Sequence, residues 1–150
     1  MRIVVQRVKE ASVTVNGTVT GSIKKGMLLL VGIEEADGVE DADWLSRKLS
    51  ALRIFNDAEG KMNLDITEAD GDFLVVSQFT LHAGYKKGNR PSFIRAAHPD
   101  KAIPLYQYFI GKLRQTSGRT IATGIFGAMM DVFLVNDGPV TLVLDSRAKE

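Results

Sequence analysis

The sequence predicts an α/β fold in which a mixed sheet, curled or split in two, carries two main helices on its outside. Three observations predict it. Apolar runs with strand patterning fill the first third of the chain and its last quarter. Two stretches, around Leu45 and around Phe109, carry apolar residues at helical spacing instead. A further apolar run, starting at Phe73, lies between those two helices. The order strands, helix, strand, helix, strands gives each helix a sheet face to cover.

Taken in order, Ile3, Val5 and Arg7 alternate with Val4, Gln6 and Val8. Ser12-Val13-Thr14-Val15 then leads into Asn16-Gly17, a two-residue hairpin signal because both residues tolerate positive φ. Thr18-Val19-Thr20 is the return strand. Met27 to Ile33 is apolar on both faces, as a buried strand is. A first helix follows, with Ala42, Leu45, Leu49 and Leu52 on one stripe and Asp41 or an earlier acid as its cap. Asn56-Asp57-Ala58-Glu59-Gly60-Lys61 reads as a hairpin tip. Phe73 to Leu81 reads as a second buried strand, and His82 to Ala97 as a long surface loop, a place where function concentrates. In the second helix Ala102, Leu105, Tyr106, Phe109, Ile110 and Leu113 make the stripe. Asp100 sits near its start, and Pro104 is assigned to the first turn, where a missing N–H costs little. Two final strands, Ala128 to Val135 and Val140 to Asp145, are joined by Asn136-Asp137-Gly138-Pro139.

Composition sets bounds. A chain of 150 residues with 45% hydrophobic and 25% charged residues suits one domain with an ordinary core. The absence of cysteine removes disulfides, thiolate metal sites and thiol nucleophiles together. The N-terminal residues contain no long apolar segment or small-residue cleavage site, which argues against a signal peptide. No apolar run is long enough to cross a bilayer. A cytoplasmic protein with no membrane partner is the expectation. The net charge of +1 gives no global sign of nucleic-acid binding, so any such surface is local.

Two polar blocks at the ends of apolar runs stand out: Ser77-Gln78-Phe79-Thr80-Leu81 and Asn136-Asp137-Gly138-Pro139-Val140-Thr141. Neither holds a thiol, a metal cage or a strong base, so a site built from them works through backbone groups. The alternative is a Ser77 or Thr80 hydroxyl with His82 as base. On an extended strand Thr80 and His82 share a face while Ser77 faces the other way, and no nucleophile-elbow motif surrounds Ser77. His98, before Pro99, reads as a loop residue at a helix entry. Asp65, Glu68, Asp70 and Asp72 do not match a calcium loop and read as a solvated turn; no metal is expected. Lys86-Lys87-Gly88-Asn89-Arg90 either holds phosphates or solubilises the surface. Gly124-Ile125-Phe126-Gly127-Ala128 marks tight turns or a pocket wall. Gly138-Pro139 interrupts a ladder, since proline has no N–H to donate. Its ordinary reading is a trans turn, and local sequence does not establish a cis bond.

These residues resemble the D-aminoacyl-tRNA deacylases of the bacterial and eukaryotic type. The resemblance is carried by Ser77 to Leu81, Lys86 to Phe93, Thr123 to Met130, Asn136 to Thr141 and the opening stretch from Met1 to Val13, in the same order along the whole chain. At His82-Ala83-Gly84-Tyr85, where the family varies, it assigns no role. It implies a three-layer, barrel-like α/β domain over residues 1–150. The implied enzyme is a cofactor-free homodimer acting at the aminoacyl end of tRNA, with no DNA partner. It cleaves the ester of D-aminoacyl-tRNA and of glycine esterified to tRNA. By resemblance, Ser77, Gln78, Phe79 and Thr80 line the floor of the catalytic pocket. Gly138 and Pro139, as a Gly-cisPro pair entering from the other subunit, select chirality. Arg7 holds that incoming loop, and Phe126 and Met130 are walls. Lys86, Lys87 and Arg90 are the candidate RNA contacts.

Overall fold

The computed structural model describes residues 1–150. Strand β1 (Arg2–Val15) is the organising element. One edge of it is shared: its first half pairs antiparallel with β3 (Gly26–Gly32), and its second half, from Ala11, with β2 (Thr18–Ile23). Asn16 (φ 49°) and Gly17 (φ 78°) form the tip between β1 and β2, as the Asn-Gly signal predicts. Helix α1 (Val39–Ala51) follows, and then the small hairpin β4 (Phe55–Asn56) and β5 (Met62–Leu64). Strand β6 (Asp72–Ser77) lies parallel to β3, and after helix α2 (Pro99–Ser117) strand β7 (Ile121–Thr123) lies parallel to β6. Parallel neighbours need a crossover, and the two helices supply one each. Strand β8 (Asp131–Asp145) runs along the other edge of β1.

The path β2-β1-β3-β6-β7 curls until its ends nearly meet, giving a barrel-like sheet. Gly21 of β2 backs so closely onto β7 that a Cβ there would fall 2.5 Å from the Thr123 carbonyl oxygen. Val8, Ala11, Val13, Ile23, Leu28, Leu74 and Val76 fill the inside of the curl. The outer face carries the larger core, in which Leu29, Phe73 and Val75 of the strands meet Leu45 and Leu49 of α1 and Leu105, Phe109 and Leu113 of α2. Strand β3 is therefore apolar on both faces because both faces are covered.

Several boundaries differ from expectation. The strand from Phe73 ends at Ser77, and Phe79–His82 form a 3₁₀ turn rather than more strand. The helix cap is His98, whose Nδ1 accepts from the Asp100 N–H (3.5 Å), so α2 begins at Pro99 and Pro104 lies in its second turn. That position is exposed, where water can satisfy the carbonyl the proline leaves unpaired. The cap of α1 is Gly38, with Asp41 accepting from the Gly38 N–H at 2.9 Å.

A further difference bears on the site. The two expected final strands are one strand, because both halves pair with β1. Arg2 to Gln6 face Asp145 to Thr141, and Val8 faces Asn136, so Asp137 to Val140 stand opposite Arg7 alone. The proline breaks the ladder as a wide bulge in an edge strand, without ending it.

Candidate active site

A cavity of about 430 Å³ opens at the C-terminal ends of β3 and β6. Ser77, Gln78, Phe79 and Thr80 line it from one side, and Phe126, Ala128 and Met130 from another. Sequence reasoning missed Val31 of β3, Ile33 just after it, Ala97 ahead of α2 and Ala102 in its first turn, which add to its apolar lining. Their signal was ordinary core patterning, which does not distinguish a pocket wall from a core face. Phe126 is held edge-on against Tyr106 (ring centroids 5.6 Å apart). The Tyr106 hydroxyl donates to the Val75 carbonyl at 3.0 Å, and burial pushes its ionisation upward, which keeps it neutral. A second groove between β1, β2 and Arg119 contains none of the residues expected to line the catalytic pocket.

The floor is fixed by its backbone. Gln78 N–H donates to the Val31 carbonyl at 2.7 Å as β6 ends, and the chain then tightens into the 3₁₀ turn. A turn of this kind leaves its first N–H groups without internal acceptors. The N–H groups of Phe79 and Thr80 are accordingly left without an acceptor inside the turn, while Leu81 N–H and Ala83 N–H donate to the Gln78 and Thr80 carbonyls. The Thr80 hydroxyl accepts a short hydrogen bond from the Gln78 amide.

His82 is turned away from this chemistry. It is buried, and neither ring nitrogen has a hydrogen-bond partner, so it bonds to neither Ser77 nor Thr80. The extended-strand geometry used to weigh a Ser/His pair does not exist, and the hydroxyl-plus-histidine alternative loses its base. Glu34 is its acidic neighbour, with Nδ1 3.9 Å from Oε2. Burial alone would raise the Glu34 carboxyl. The Arg95 hydrogen bond (2.7 Å) and charge, with His82 and the N-terminal ammonium, outweigh it and hold the group below its ordinary value. A carboxyl depressed by folding stabilises the fold above its unfolded pKa, and that contribution is lost as pH falls through the folded one. Thermal stability should therefore decline below about pH 4.5. The gap between the protein and its Glu34→Gln variant should narrow over the same range, as pH-resolved melting would show.

The acidic turn spends its carboxylates locally. Asp65 accepts from the Thr67 and Glu68 N–H groups, and Asp70 and Asp72 lie against Arg119.

The second block is not in the cavity. Gly138 and Pro139 are exposed on the β8 bulge, joined by a cis peptide bond, where the trans turn was the ordinary expectation. Arg7, 5% exposed, anchors the base of the bulge in its own chain. Its Nε donates to the Asp137 carbonyl (2.9 Å), and its Nη1 donates to the Ile54 carbonyl (2.6 Å) and Asn56 Oδ1 (3.0 Å). Asn136 closes the bulge from below: its Oδ1 accepts from Val140 N–H (2.8 Å) and its amide donates to Gln6 Oε1 (2.9 Å). Lys86, Lys87 and Arg90 lie exposed on the loop beyond the 3₁₀ turn.

Residues 4–145 match the family model for D-Tyr-tRNA(Tyr) deacylase. The chain is 59% identical to a D-aminoacyl-tRNA deacylase of Bacteroides thetaiotaomicron and 57% identical to one of Flavobacterium johnsoniae, each over the full length of both proteins. Its backbone is similar to a solved structure named c-Myc DNA Unwinding Element Binding Protein, with TM-score 0.92 and 40% identity over 99% of this chain and 100% of that one. The chain belongs to the D-Tyr-tRNA(Tyr) deacylase family.

Proposed function

We propose that the chain acts as a homodimeric chiral proofreader, in which the Gly138-Pro139 loop of one copy completes the cavity of the other. Family membership carries the reaction class: the chain is a D-aminoacyl-tRNA deacylase, a hydrolase of the aminoacyl ester. The observation that carries the composite site is a separation. The cavity contains Ser77 to Thr80 but neither Gly138 nor Pro139, and the loop projects from an edge strand that also exposes Phe133 and Val143. The working unit spans residues 1–150, in the cytoplasm, on RNA rather than DNA.

The chemistry asks little of side chains. An aminoacyl ester is already activated, so hydrolysis needs a placed water and a stabilised oxyanion. The N–H groups of Phe79 and Thr80, unpaired within the turn, are the donors for that oxyanion, and one such donor contributes roughly 3 kcal/mol to the transition state. The free 2′-hydroxyl of the substrate's terminal ribose, which DNA lacks, helps activate the water. With the amino group and the carbonyl both pinned, exchanging L for D swaps hydrogen and side chain. A rigid wall at the Gly138-Pro139 loop then rejects L, passes D with its side chain pointing outward, and passes glycine.

Thr80→Val should keep its rate within roughly threefold of wild type, because the backbone and not the hydroxyl stabilises charge. Single-turnover kinetics on D-tyrosyl-tRNA measure this; a loss of several orders of magnitude with the fold intact restores a nucleophilic threonine. The reading as a whole is tested with matched D- and L-tyrosyl-tRNA. Release of D-tyrosine with L-tyrosyl-tRNA left intact supports it. Equal release from both removes the chiral gate, and salt-sensitive binding without release leaves a binding module.

A further inference from the structure

The loop after the 3₁₀ turn carries features that ester hydrolysis does not use. Gly84 and Ser92 exchange both backbone hydrogen bonds (2.7 and 2.8 Å), which closes residues 85–91 into a projecting loop. Tyr85 stands at its base, 78% exposed, and Ile94 just beyond the bridge is 91% exposed. Phe93, next to Ser92, packs edge-on against Phe79 of the cavity rim, with ring centroids 5.1 Å apart. Exposed apolar side chains therefore flank the bridge on both strands, and Phe93 beside it touches the cavity rim. Charge is concentrated on the same segment. Between Ala83 and Ala97 the chain has four cations, Lys86, Lys87, Arg90 and Arg95, and no carboxylate. Arg95 is paired with Glu34, whereas Lys86, Lys87 and Arg90 make no ion pair. In a chain of net charge +1, this is a local basic surface laid beside exposed aromatic and aliphatic side chains.

Aromatic faces beside unpaired cations are how proteins hold unpaired nucleotides: bases stack on rings while phosphates meet lysine and arginine. We infer that Tyr85 is a stacking platform for the unpaired nucleotides preceding the terminal adenosine of tRNA, with Lys86, Lys87 and Arg90 on their phosphates. This rests on the deacylase reading for the placement of the ester in the cavity. The stacking and charge surface commits to single-stranded RNA, and a second copy of the chain on the same face is an outcome of the test.

The test uses the full chain and uncharged tRNA, with the same tRNA lacking its unpaired 3′ end as control, so that it does not depend on turnover. Tyr85→Ala should weaken binding of intact tRNA about five- to thirtyfold, as loss of one base-stacking ring does. It should leave the truncated tRNA unaffected, and Tyr85→Phe should restore affinity. The salt dependence should stay unchanged in Tyr85→Ala and become shallower in a Lys86→Ala, Lys87→Ala double variant. In turnover, Tyr85→Ala should raise KM for D-tyrosyl-tRNA, keep kcat, and hydrolyse D-tyrosyl-adenosine at the wild-type rate. Equal affinity of Tyr85→Ala and wild type for intact tRNA overturns the inference. So does an equal loss on both tRNAs, or a change in the variant's molecular mass in solution, which assigns the face to a second copy. If wild type binds tRNA as described but releases no D-tyrosine, the deacylase reading fails and the RNA platform stands.

Discussion

Gly138→Ala should lower kcat/KM on D-tyrosyl-tRNA by about a hundredfold, the scale on which ångström misplacement of a positioning group acts. Gly138 has φ +136°, a conformation that L side chains rarely adopt, and holding an alanine there costs about 1–3 kcal/mol. Space is also lacking. A Cβ would lie 2.8 Å from Val140 Cγ2, 3.1 Å from Val140 N and 3.1 Å from Arg7 Nη2. Arg7 cannot retreat without giving up the Ile54 and Asn56 acceptors, so the loop must tilt instead. The fold survives because Gly138 and Pro139 are exposed on an edge strand and belong to neither core. Folding is checked by melting, activity by single-turnover hydrolysis, and discrimination by the L-ester. Wild-type rate together with wild-type discrimination would show that the loop is no gate.

Arg7→Ala should have the largest effect on stability. One guanidinium ties three elements together: β1, which carries it, the segment entering β4 through the Ile54 carbonyl and Asn56, and the β8 bulge through Asp137. Its second contact with Asp137 is ionic, Nε to Oδ2 at 3.4 Å, but Asp137's side chain is 35% exposed and that pair is screened. The weight falls on the carbonyls left without a donor. Removing the donor should cost about 3 kcal/mol. In a chain of this size that lowers Tm by roughly 6–12 °C. Arg7→Lys should recover only part of it, because one ammonium cannot span the forked set of acceptors. Calorimetry on the three proteins decides the matter; an Arg7→Ala melting point within a degree or two of wild type would contradict the anchoring role.

How much of this could be read in the sequence depended on how local each cause was. The hairpin at Asn16-Gly17 was legible because the residues making the turn also require it. The α2 stripe was legible because a helix writes its buried face at a fixed period. The single long β8 was not, because its continuity comes from pairing with β1 more than 100 positions earlier, and the local signal at Gly138-Pro139 is one of interruption. The 3₁₀ turn after Ser77 was hidden by the apolar residues Phe79 and Leu81, which resemble strand. For the site, the Ser77–Thr80, Phe126 and Met130 motifs do converge on one cavity. The partners that make them a site are long-range: Val31, which fixes the floor; Ala102, which closes a wall; and Asn56, which holds Arg7. Two N–H groups unpaired within a turn are a property of backbone conformation, and no residue type announces them. The cavity and the Gly-Pro loop lie apart within one chain, and residue spacing could not foresee that either.

The proposed sharing of the site between two subunits is tested most directly by mixing two disabled chains. Gly138→Ala disables the loop, and Ala128→Trp fills the cavity; each homodimer should be inactive on D-tyrosyl-tRNA. A mixed dimer holds one site made from an intact cavity and an intact loop, so random reassociation should restore about a quarter of wild-type activity per chain. Restoration of that order is the predicted result. Mixed dimers that form but remain as inactive as either parent would place cavity and loop in the same chain and contradict the account.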